Sequence, residues 1–161
     1  MQVILRFLYI LSLTFWIGSV FFFSLFVAPS IFKVLPRHLA GDLVSDIFPK
    51  YYLIAYVCGG VALLSSFLSW FIGNSPSLFS DLLRILLLAL MLGLAVYAGE
   101  IIRPQALELR SEMRSLAEGS AEYKEVEAKF GKLHRKSAIM NSIVFLMGIA
   151  IVFITAYTYK E

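Results

Sequence analysis

Few residues of this 161-residue chain are equipped for chemistry. Its two histidines, His38 and His134, come first, because imidazole binds metals and carries protons near neutral pH. Arg37 precedes His38, and Asn141 follows His134 by two helical turns. Tyr51 opens one long apolar run, while Glu100 and Arg103 close another. Arg37, His38, Tyr51, Glu100, Arg103, His134 and Asn141 therefore form a candidate ligand-binding set. His38 and His134 are its candidate metal ligands, and no residue is assigned to catalysis. Ionisable groups near membrane depth are costly and often functional. Structural roles compete at each position. Histidine and arginine at an interface meet lipid phosphates, Glu100 has Arg103 or a base on another helix as a partner, and Asn141 suits a bond between helices. Trp16 falls in mid-span, where core packing outweighs ligand contact.

Other chemistries find no support. No Gly-rich phosphate loop, paired-cysteine motif or His-Glu-x-x-His occurs. The single cysteine, Cys58, has no internal disulfide partner. A formal charge of +3 is too small for a nucleic-acid binder. Hydrophobic residues make up 60% and charged residues 16%, against roughly 45–50% and 25% in soluble domains. That excess predicts an all-α, integral membrane four-helix bundle forming one domain over residues 1–161.

The elements that must position the candidates follow from the charge-free runs. No charge interrupts the chain between Arg6 and Lys33, longer than the roughly 20 residues a crossing needs. It also exceeds the apolar core of a signal peptide, about 7–15 residues, so it reads as a span and not a leader. The spans are placed at about 4–32, 51–72, 82–102 and 137–159. The cluster Gly73-Asn74-Ser75-Pro76 predicts a turn after the second. Arg84 falls inside the third, where it is expected to snorkel to the interface with Asp81 one turn away. Segment 36–48 carries Leu39, Leu43 and Ile47 at helical spacing and predicts an amphipathic helix on the membrane surface. Residues 104–136 predict a helical hairpin. Tyr123, Val126, Phe130 and Leu133 form a seam facing Leu109, Met113 and Leu116, with Gly119-Ser120 as the turn and Ser120 as a cap. Gly59-Gly60, Ala89-Gly93 and Ala95-Gly99 are candidate close-approach positions.

Lys33, Arg37, Lys50, Arg103, Arg110, Arg114, Lys124, Lys129, Lys132, Arg135 and Lys136 all fall on one side; Arg6, Arg84 and Lys160 fall on the other. This asymmetry predicts a multi-pass cell-membrane protein with both termini outside and the hairpin in the cytoplasm. Tyr51, Tyr52 and Tyr56 suit the inner aromatic belt, and Trp70, Tyr157 and Tyr159 the outer one.

Phe26-Val27, Phe32, Leu35-Pro36-Arg37-His38, Gly41, Phe48-Pro49 and Tyr51 resemble the signature of the transmembrane protein 205-like family. Arg103-Pro104 is similar to that family's junction after the third span. Phe130, Leu133-His134, Ser137 and Asn141 resemble its second signature. The resemblance implies four spans and an association with platinum-drug resistance, hence export or metal handling. Trp16-x-Gly18 is more weakly similar to copper-resistance membrane domains and to a haem-linked protoporphyrinogen oxidase. No histidine lies within a span here, which departs from the latter.

The leading expectation is a non-enzymatic membrane protein that binds or moves a small solute or metal at its cytoplasmic end. Transport would call for a homo-oligomer, because one chain has few intramembrane polar groups. A haem- or metal-dependent oxidoreductase and a scaffold acting through its hairpin are the alternatives. The bilayer is the expected partner and nucleic acid is not; the cofactor stays open. The riskiest expectation puts His38 and His134 within about 12 Å, sharing a pocket with Glu100. Direct coordination of one metal would need both nitrogens at about 2.0–2.1 Å from it.

Overall fold

Each apolar run folds as part of a helix longer than a crossing. In the computed structural model, which describes residues 1–72 and 78–158, the helices are α1 (Gln2–Val34), α2 (Arg37–Phe71), α3 (Leu78–Ser115) and α4 (Ala121–Thr158). They pack in ring order, each against its sequence neighbours and α4 back against α1. The chain is an all-α membrane bundle. Its outward side chains, among them Phe15, Leu53, Leu86, Leu146 and Phe153, are exposed apolar groups that meet lipid. The turn expected at Gly73-Asn74-Ser75-Pro76, the belt residue Tyr159 and Lys160 lie outside the described residues.

Lipid is as apolar as leucine, so close packing holds such helices together. Trp16, Leu88, Met91 and Ile151 are the large side chains shut fully inside. Small residues admit them. A Cβ on Gly59 would lie 2.9 Å from the Trp16 ring, and one on Gly148 would lie 2.8 Å from Ile17. Gly99 is equally tight against Tyr52. Ala89 and Gly93 instead face outward, and nothing crowds Gly60.

Prolines shape the hairpin end. Proline has no N–H to donate to the carbonyl four residues earlier. Ahead of Pro29, α1 widens into a π-turn over Phe23–Val27, where the Ala28 N–H reaches the Phe23 carbonyl. Ahead of Pro104, α3 does the same over Ala98–Ile102, where the Arg103 N–H reaches Ala98. Pro36 drives Leu35 into extended backbone, which ends α1. Pro49, by contrast, sits inside an unbroken α2. Segment 36–48 is therefore not a separate surface helix. From Arg37 it forms the first turns of α2, continuous with the span.

The hairpin has the expected form. α3 runs on to Ser115, Gly119 adopts φ +85°, and the Ser120 hydroxyl accepts the Tyr123 N–H at 3.0 Å to start α4. Arg110 ties the hairpin to α2. It donates to Ser45 Oγ at 2.6 Å, to the His38 carbonyl at 2.8 Å and to Asp42 at 3.1 Å. It lies flat over Gly41, where a Cβ would meet its Cζ at 2.6 Å. Arg114 also bonds Asp42, which holds that carboxyl below its ordinary pKa.

At the opposite end one expectation is reversed. Arg84 does not snorkel outward. It turns into the bundle with Asp81, and the two residues are 5% and 6% exposed.

Candidate functional site

Polar groups converge where both π-turns meet the start of the α2 span. Tyr51 donates from its hydroxyl to Asn141 Oδ1, and Asn141 Nδ2 donates to Ser24 Oγ at 2.8 Å. This chain of bonds links α2, α4 and the π-turn of α1. Around it, Phe23, Phe48, Tyr51 and Tyr52 form an aromatic cluster with ring centroids 5.3–6.3 Å apart. The second π-turn brings Gly99 against the Tyr52 ring. Without a side chain there, α3 sits close enough for Tyr56 of α2 to donate to Glu100 Oε1 at 2.9 Å.

Beneath the cluster is a cavity of about 20 Å³ (the volume open to the centre of a water). Tyr51, Tyr52, Ser137 and Asn141 give it polar walls, and Trp16 forms part of its apolar wall. About 10–15 Å³ admits one water, so in this conformation the cavity takes a water-sized group and nothing larger.

The seven candidates divide into three groups. Tyr51 and Asn141 touch each other and line the cavity. Glu100 and Arg103 flank it without lining it. Among the described residues Glu100 pairs with Tyr56 and with no base, while Arg103 Nε donates to the Gly99 carbonyl at 3.2 Å. Arg37, His38 and His134 stand on the exposed surface. Arg37 pairs with Glu127 at 2.9 Å. His38 meets Arg110 through its backbone carbonyl. His134 stacks on Phe130 with 6.4 Å between centroids. Neither histidine lines the cavity, and no cluster of three metal-ligating His, Cys, Asp or Glu forms among the described residues. His38, Glu100 and His134 do not line this cavity, whose polar walls include Tyr51 and Asn141.

Sequence reasoning missed Ser24 as a member and placed Tyr52 and Tyr56 only in the aromatic belt. The available signal was proline placement. Both π-turns end two residues before a proline, and both deliver a site residue.

Residues 11–115 match the DUF4149 family, described as a domain of unknown function. The match covers α1 from residue 11 to the end of α3, including Tyr51, Glu100 and Arg103, and stops before Asn141. An uncharacterized protein of Aquifex aeolicus (strain VF5) is 43% identical over 51 residues, 32% of this chain and 39% of that protein. The aligned stretch thus spans about two fifths of that relative's length. No solved structure matches.

Proposed function

Because the chain belongs to the DUF4149 family, a domain of unknown function, we propose its activity from geometry: it binds a small polar solute between α2, α3 and α4 at the hairpin end of the bundle. The observation that carries this reading is the Tyr51–Asn141–Ser24 chain of hydrogen bonds, in which Tyr51 and Asn141 also line a small cavity. Polar groups are expensive inside a membrane and commonly mark a solute site. The cavity walls supply hydroxyl and amide groups, which suit a neutral, hydrogen-bonding solute better than a soft metal ion. Entry requires the site to widen. The adjoining π-turns supply the weak points, since such turns interrupt regular helix bonding and recur at functional sites.

The same proposal includes orientation and transport. The crowding of basic residues on the hairpin side supports a cytoplasmic hairpin with both termini outside. The resemblance to the transmembrane protein 205-like family favours movement of the solute over simple storage. In a Cys58→Ser background, Glu118→Cys at the hairpin tip should resist an impermeant thiol reagent in intact cells and react after lysis. Reaction in intact cells would invert the topology.

The binding reading is tested by native mass spectrometry of protein extracted with its surrounding membrane. Wild-type protein should retain a small molecule that Asn141→Leu loses while remaining folded. Equal retention by both, or no retained molecule, would refute the site.

A further inference from the structure

We propose that the end of the bundle away from the hairpin contains an aqueous inlet, which carries a water molecule to the buried Asp81–Arg84 ion pair. The pair joins residues one turn apart on α3, with side chains only 8% and 6% exposed. Arg84 Nη2 donates to Asp81 Oδ1. Its guanidinium lies 6.0 Å from the centre of the Tyr9 ring, and the Tyr9 hydroxyl shares a 2.8 Å hydrogen bond with Thr155 of α4. Asp81 Oδ2 has no hydrogen-bond partner among the described residues. It borders a cavity of about 10 Å³, again the volume open to a water's centre. The other polar walls are Arg6 and Tyr9 of α1 and Ser65, Ser66 and Ser69 of α2.

Three requirements select the occupant. It must donate a hydrogen bond, because Oδ2 is a buried acceptor. It must be about the size of one water, given the volume. It must carry no positive charge, because two guanidinium groups, those of Arg6 and Arg84, border the cavity. An anion would face Oδ2 itself. Water meets all three conditions, and the serine hydroxyls offer it the further partners that an internal water ordinarily has.

The arrangement of α2 indicates the route. Ala62, Ser65 and Ser69 share one helical face, so water entering from the membrane surface passes Ser69, then Ser65, and stops at Ala62. Ala62 is fully buried. Beyond it lies the apolar plug of Trp16, Leu88, Met91 and Ile151. Tyr9 borders the inlet and Trp16 borders the cavity on the far side. Seven residues of helix separate them, about 10 Å at 1.5 Å per residue. The bundle thus has polar space on both sides of a thin apolar partition. This inference does not depend on any solute binding near Asn141.

Water-edited solid-state NMR of the wild-type protein in lipid bilayers tests it. Magnetisation from water should reach the Ser69 and Ser65 side chains at least about threefold faster than Ala62. Equal build-up at Ser65 and Ala62 would overturn the inlet. An experimental density map of the wild-type protein gives a second, independent readout. A single water peak within hydrogen-bonding distance of Asp81 Oδ2 is expected. A dry cavity, or an occupant other than water, would overturn the proposal.

Discussion

Adjacent glycines in α2 should respond oppositely to the same substitution. A Cβ on Gly59 would sit 2.9 Å from Trp16 Cζ3, 3.1 Å from Cη2 and 2.9 Å from Leu92 Cδ1. Leu92 has freedom to turn away. The Trp16 ring is rigid and 1% exposed, so the helices must part or the ring must leave its rotamer. Such overpacking costs about 1–3 kcal/mol. Gly60 has nothing within 4 Å. Both substitutions gain the same helix propensity, about 1 kcal/mol for alanine over glycine. The propensity gain cancels in the comparison, leaving the clash. Gly60→Ala should therefore stabilise by up to about 1 kcal/mol, while Gly59→Ala falls about 1–3 kcal/mol below it. At about 2–4 °C per kcal/mol for a chain of this size, a mid-range difference separates the two melting temperatures by about 4–8 °C in detergent micelles. On a Trp16→Leu background the Gly59→Ala penalty should disappear, because the new methyl enters space the ring has left. Gly59→Ala melting at or above Gly60→Ala would refute the packing argument.

At the hairpin end, Tyr51→Phe should cost about 1 kcal/mol, because Asn141 Oδ1 loses its donor; the measured average for such bonds in membranes is lower, about 0.6 kcal/mol. Chemical denaturation in mixed micelles reads this, and adding Asn141→Leu should recover part of the loss. Arg110→Ala should free the hairpin from α2, seen as amide exchange at least about tenfold faster over residues 104–136 with the spans unchanged; uniform acceleration would instead mean global destabilisation. Asp42 should give that contact a pH dependence. Its carboxyl is held below its ordinary value of 3.8, chiefly by its hydrogen bond to Arg114. The contribution is thus complete above that value and is lost as pH falls through the lower folded pKa. Exchange in the hairpin should rise only below about pH 3.8, and Asp42→Asn should abolish that step.

Helices and turns were legible because charge and turn chemistry mark them locally. The capping of α4 by Ser120 follows from residue type, and so does the extended Leu35 before Pro36. Depth was legible as well: Tyr51, Glu100, Arg103 and Asn141 do gather at one level of the bundle. The direction each side chain faces was less so. An α-helix turns about 100° per residue, so His134, adjacent to the seam residue Leu133, points well away from that seam. Arg84 shows the converse. A charge near the end of a span has water within reach of its side chain, and only the placement of Tyr9 and Asp81 reveals that it turns inward. The π-turns escaped detection because each adds a residue to a turn that a regular wheel takes as uniform.

That added residue divides α1 into two rotational phases. Tyr9, Leu13, Trp16 and Val20 keep one inward face at spacings of four, three and four. After Phe23–Val27 the face is reset, and Lys33 to Leu35 follow a wheel offset by about one residue, or about 100°. The turn therefore acts as an angular spacer between the packed middle of the bundle and its hairpin end. Removing one residue from it would leave Trp16 seated on Gly59 while rotating the departure point of the Leu35-Pro36 link around the helix axis. A relative one residue shorter at this point would keep the same middle and present a different hairpin end. Length differences at 23–27 and 98–102 thus carry more functional information than substitutions in the surrounding leucines.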